Sequence, residues 1–140
     1  MSNQNTDFYG ATSFINKDNK GDYYLSGEMC NVCSTIFIDQ RLTCAKCFEV
    51  NNFSSITLSN TGKLYSYSIV HRSFPGIKVP YVSAIVDLDN GGTIKGNLIN
   101  VEPNPENLSF DMRVKVVFKD ALGRKDQDGN SYISYFFEPI

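Results

Sequence analysis

Three features of the chain predict an all-β fold in two parts. Two C-x-x-C pairs stand close together near the start. Short alternating apolar stretches follow, separated by Asn-Gly and Asp-Gly turns, and no segment holds a helical period over three turns. The cysteine pairs predict a small ribbon of hairpins, and the alternating stretches predict a five-stranded closed barrel behind it. The implied boundaries are an N-terminal arm over 1–20, the ribbon over 21–50 and the barrel over 51–140.

The elements follow in chain order. Residues 1–20 are polar and Asn-rich, with Phe8, Tyr9, Phe14 and Ile15 their few apolar side chains, and read as a loose arm with one short helical turn. "DYYLSGEM" leads into the first cysteine pair, and "STIFID" follows it with Ile36 and Ile38 on one face. Asp39-Gln40 is the expected hairpin tip. "SSITLSNTGKLYSYSIVHR" reads as one long strand with a bulge or bend at Gly62. "YVSAIVDLD" is closed by "NGG", a strong hairpin signal. "TIKGNLINV" places Ile94, Gly96 and Leu98 on one face, and "RVKVVFKD" turns Val114, Val116 and Phe118 inward. An Asp-Gly turn in "DQDGNS" precedes the last strand, "YISYFFEP". Five such strands suit a small barrel of the OB type, with an open sandwich as the alternative.

Bulk properties exclude several classes. The chain has 140 residues, 41% hydrophobic and 13% aromatic, enough for one modest core. Its formal net charge of -2 offers neither the positive field of a nucleic-acid binder nor that of a membrane-surface protein. No apolar run approaches the roughly 20 residues that cross a bilayer. "MSNQNTDFYG" lacks the basic and apolar regions of a signal peptide. The expectation is a cytoplasmic protein, where thiols stay reduced and paired cysteines favour metal over disulfides.

All four cysteines lie in "CNVCSTIFIDQRLTCAKC", from Cys30 to Cys47. A C-x-x-C knuckle brings two sulfurs onto one ion, and a second knuckle on the next hairpin completes a tetrahedron. Cys30, Cys33, Cys44 and Cys47 are therefore predicted to hold one structural zinc in a rubredoxin-like ribbon, with iron the lesser candidate. Two redox dithiols are disfavoured, because no helix N-terminus follows either pair to activate a thiol. Four thiolates leave no open position for hydrolytic chemistry. The ion's work is folding, to which zinc contributes about 10–16 kcal/mol in such small modules.

Catalytic machinery is not evident elsewhere. His71 is the sole imidazole, no nucleophile elbow accompanies it, and no glycine-rich phosphate loop occurs. "HRSFPGIKVPYV" sets Phe74, Ile77, Val79 and Tyr81 among two prolines, a glycine and the groups His71, Arg72 and Lys78. A stiff loop with large apolar residues is a natural contact surface, because ordering it on binding costs little. The other reading is a loop that folds its aromatics back over the barrel.

The order of arm, four-cysteine ribbon and OB-like barrel resembles the acyl-CoA-associated zinc-ribbon/OB-fold family, also called DUF35. The resemblance runs from Gly21 through nearly the whole chain. It is carried by the cysteine segment with Arg41 near its third cysteine, by "TGKLYSYSIVHR" and "PYVSAIVDLDNGG", and by the terminal "YFFEP". Asp39 and Gln40 stand where the family has prolines, and the family's N-terminal helical region is much reduced.

The resemblance implies a non-catalytic accessory subunit in a hetero-oligomer with a thiolase-like protein. Family partners include acetyltransferases, steroid side-chain aldolases and the benzoylsuccinyl-CoA thiolase of anaerobic toluene breakdown. The partner would carry the catalytic residues, and CoA or an acyl-CoA would lie at or near the interface. His71, Arg72, Phe74, Ile77, Lys78 and Tyr81 are the expected partner- or CoA-facing residues.

Two other classes compete. An OB-fold nucleic-acid binder would stack bases on aromatics but lacks basic charge here. A rubredoxin-like electron carrier would hold iron and turn the protein red, yet it leaves the barrel unexplained.

Overall fold

The computed structural model describes residues 14–38, 40–125 and 128–140. Of the stretch read as a loose arm, residues 1–13 lie outside the described residues. Ile15–Lys17 form a strand, β1, pairing antiparallel with β2 (Tyr23–Cys30) in the register Ile15↔Leu25 and Lys17↔Tyr23. Asp18 builds the turn between them, its Oδ1 accepting from the N–H groups of Lys20 and Asp22 at 2.9 Å. An Asx turn of this kind lets a short hairpin close without a long loop. Beyond it, β3 (Ile36–Phe37) and β4 (Phe53–Thr57) flank the second half of β2.

The second sheet closes on itself in the order β5-β6-β7-β9-β8. Its strands are β5 (Thr61–Val70), β6 (Tyr81–Leu88), β7 (Thr93–Leu98), β8 (Arg113–Lys125) and β9 (Ser131–Pro139). β7 and β9 run parallel, meeting at Leu98↔Phe137, while β5 pairs antiparallel with both β6 and β8. This is the OB barrel predicted from the alternating stretches. The Asn-Gly-Gly turn forms as expected, with Gly91 at φ 117 and Gly92 at φ 91, values that L side chains rarely adopt. Between β7 and β8 a single 3-10 turn, Pro105–Asn107, is capped by Asn104, whose side chain accepts from the Glu106 N–H.

The long stretch read as one strand is two. The Leu58 N–H donates to the Leu25 carbonyl at 2.8 Å, finishing the pairing of the first sheet. The Ser59 N–H donates to the Asn90 side chain and Asn60 accepts from Val116, so the chain enters the barrel there. The bulge falls at Tyr65, not at Gly62. It changes which face is inside: Gly62 and Leu64 oppose the buried Leu88 and Val86, whereas beyond it Tyr67 and Ile69 oppose the buried Ala84 and Val82.

The chain divides into two compact units. One runs through Leu58 and takes in Phe118–Tyr135; the other is Ser59–Val117 with Phe136–Ile140. In the first, Ile15, Leu25, Leu58 and Ala121 are buried, and the far ends of β8 and β9 meet the first hairpin through Phe118 against Tyr23 and Tyr135 against Phe14. In the second, Leu64, Val82, Val86, Val114 and Phe137 form the barrel core. Phe136 and Phe137 are both buried although successive strand residues point oppositely, so β9 is covered on both faces there. Among the described residues no charged side chain is buried.

Candidate metal centre

The two cysteine pairs fold into two copies of one turn. In the first, the Ser34 N–H donates to the Cys30 carbonyl at 2.9 Å and the Cys30 N–H to the Thr35 carbonyl at 2.9 Å. In the second, the Phe48 N–H donates to Cys44 at 3.0 Å and the Cys44 N–H to Glu49 at 2.8 Å. The residue after each second cysteine is left-handed, Ser34 at φ 66 and Phe48 at φ 67. That reversal turns each chain back on itself and points both sulfurs of a pair to one side.

The sulfurs converge. Cys30 Sγ lies 3.6 Å from Cys47 Sγ, and Cys33 Sγ lies 3.6 Å from Cys44 Sγ. All four lie within 4.8 Å of one another, and none is bonded to another. A disulfide needs about 2.05 Å. A tetrahedron with metal–sulfur bonds of about 2.3 Å has edges of about 3.8 Å, which these spacings approach. Four soft donors at such spacing fit zinc or iron and leave no hard ligand for magnesium or calcium. Cys30 and Cys44 are buried, while Cys33 and Cys47 are partly open to solvent.

Hydrogen-bond donors surround the sulfurs. The Thr35 hydroxyl lies 3.1 Å from Cys33 Sγ, and the N–H groups of Lys46 and Cys47 donate to Cys44 Sγ at 3.4 and 3.5 Å. The hydroxyl of Thr35, and next its N–H, hold the Cys33 thiol down to about 6. The Cys44 thiol is lowered chiefly by the Cys47 N–H. At Cys47 the Glu49 N–H favours the thiolate, but burial and the three neighbouring sulfurs outweigh it and push the thiol up to about 12. A bound cation would relieve that crowding. Nearby, the Arg41 guanidinium lies 4.1 Å over the Phe37 ring, which meets Phe53 edge-on at 6.3 Å. Val32, Leu42, Phe48 and Val50, all in the cysteine hairpins, are exposed.

The residues expected to face a partner lie in the β5–β6 connection. His71, Arg72, Phe74, Ile77 and Lys78 are exposed in that loop, and Tyr81 begins β6 opposite Val70. Phe74 is 79% exposed, so its ring does not fold back over the barrel. The Ile77 N–H donates to the Phe74 carbonyl at 3.2 Å, and Gly76, at φ 90, completes that turn. Asp39, half of the expected hairpin tip, lies outside the described residues. Thr35 and the Arg41–Phe37 stack were not foreseen. Their only sequence signal is position, two residues past Cys33 and three before Cys44.

Comparisons with known proteins place this architecture. The profile of the ChsH2 C-terminal OB-fold domain matches residues 55–119. A DUF35 domain-containing scaffold protein of Methanocaldococcus jannaschii is 35% identical over 123 residues, spanning 86% of this chain and 85% of that one. The benzoylsuccinyl-CoA thiolase subunit BbsA of Thauera aromatica is 31% identical over 117 residues, spanning 84% and 77%. Among solved structures, a chain of the Ltp2-ChsH2(DUF35) aldolase superposes with a TM-score of 0.65 at 25% identity, covering 83% of this chain and 84% of its own. With more than a third of positions identical along most of both chains, and an OB-fold match across much of the barrel, this protein belongs to the DUF35 family.

Proposed function

We propose that this chain is a zinc-binding, non-catalytic accessory subunit of a thiolase-like acyl-CoA enzyme. The observation that carries the reading is the likeness to a thiolase subunit along 84% of the chain. Benzoylsuccinyl-CoA thiolase is the specific enzyme this likeness suggests. The four converging sulfurs support one zinc per chain, bound by Cys30, Cys33, Cys44 and Cys47. With every cysteine so engaged, the chain has no free thiol nucleophile, and the partner supplies the reacting groups.

The β5–β6 loop is the partner-facing surface in this reading. Phe74, Ile77 and Tyr81 offer apolar contact to a pantetheine arm, while Arg72, Lys78 and His71 offer charge or hydrogen bonds to CoA phosphates. The test is to purify the chain alone and together with a thiolase-like protein from the same host. The isolated chain should contain close to one zinc and neither cleave nor condense acyl-CoA thioesters; turnover should need both proteins. Thiolysis by the lone chain, abolished in His71→Ala, would overturn the accessory role. Cys44→Ser should lose the metal and weaken assembly, read by metal analysis and size-exclusion chromatography.

A further inference from the structure

The two cysteine turns share their pair of backbone N–H···O bonds, and the first adds a side-chain hydroxyl at sulfur that the second lacks. The residue two past the second cysteine is Thr35 in the first turn and Glu49 in the second. Glu49 turns its carboxylate away from the sulfurs, accepting from Asn52 Nδ2 at 2.8 Å. Thr35 adds its hydroxyl to Cys33 Sγ at 3.1 Å, a bond without counterpart in the other turn. Once Cys33 holds a metal as a thiolate it has no proton to give, so the hydroxyl is the donor.

We propose that Thr35 is a positioning residue of the metal centre, whose hydroxyl binds Cys33 Sγ and fixes one of the two partly exposed ligands on the ion. The inference rests on the metal reading above. Four thiolates around a divalent ion leave a net negative cluster, and each donor to sulfur offsets part of that charge. Cys33 and Cys47 are the two cysteines partly open to solvent. At Cys33 the extra donor lowers the sulfur lone-pair energy and orients the side chain. Loss of the hydroxyl should therefore loosen that ligand first.

Cobalt(II) is the probe, added to metal-free full-length protein, with the sulfur-to-cobalt charge-transfer band and release to a chromogenic chelator as readouts. Thr35→Val should move the band to longer wavelength and speed metal release about tenfold, the lower end for loss of a partner to a metal ligand. Thr35→Ser, which keeps the hydroxyl, should restore both. If the valine variant does not fold, Thr35→Ala with Thr35→Ser as its control gives the same comparison. Valine or alanine variants with wild-type band and release rate would overturn this inference alone. So would a serine variant as altered as valine, since the methyl group would then be responsible. Wild-type protein that takes up no cobalt would remove the metal reading, and this inference with it.

Discussion

Asp89 shows how one side chain can fasten a turn to a strand. Its carboxylate receives both arms of Arg113, at 2.7 and 2.6 Å, and also the Thr61 hydroxyl, while its N–H donates to the Thr61 carbonyl. The Arg113 guanidinium, and next the Thr61 hydroxyl, hold this carboxyl well below the usual carboxylate range. A depressed pKa adds stability above the unfolded value of about 3.9 and loses it as pH falls toward the folded value. Asp89→Asn should therefore lower Tm at pH 7, with the gap to wild type closing between pH 5 and pH 2. Both side chains are partly exposed, so added salt should shrink the gap as well. An equal gap at pH 7 and pH 2 would rule the clamp out. Phe74 gives the opposite case. Its exposure predicts that Phe74→Ala changes stability by no more than about 0.5 kcal/mol, read by urea unfolding. If the loop faces a partner as proposed, the same change with Lys78→Ala should weaken assembly with the proposed thiolase-like protein.

At the scale of elements, close approach outweighs propensity. A Cβ at Gly62 would lie 2.5 Å from the Asp87 carbonyl oxygen and 2.9 Å from Val86 Cγ1. Gly62→Ala should cost about 1–3 kcal/mol by overpacking, seen as a lower urea midpoint at unchanged slope. A midpoint equal to wild type would mean that β5 and β6 part easily. Gly62 was legible in the sequence as a special position, but not the reason for it. The bulge was missed because the Leu64–Ile69 run alternates well enough in either register, and only the partner strand decides which residue is left over. The β4–β5 break was hidden for a similar reason. Serine, threonine and isoleucine continue the strand pattern up to Leu58, and the switch of sheets is set by bonds to Leu25 and Asn90, far along the chain. The cysteine turns, the Asn-Gly-Gly hairpin and the inward Val114 and Val116 were legible because each is fixed by its own neighbours. Thr35 was not: a hydroxyl beside a cysteine is common, and only the left-handed Ser34 brings it to sulfur.

For the whole molecule, each of the two compact units has buried side chains of its own. Among its described residues the first has few large buried side chains around the cysteines, so a metal bound there should supply much of its stability. Prolonged chelation should raise amide hydrogen exchange across residues 30–52 while the β5–β7 amides keep their protection. Equal loss in both would show one cooperative unit.

The closing order of the barrel has a consequence during synthesis. β9 joins β7 to β8, yet it is the last of the barrel's five strands to leave the ribosome. The cysteine turns and β4 emerge long before, so the four sulfurs can come together while the barrel is still an open sheet. Until β9 arrives, β7 and β8 each present a bare edge able to pair with another nascent chain. Rapid translation on crowded polysomes should therefore favour insoluble product, and slower synthesis at low temperature should raise the soluble yield.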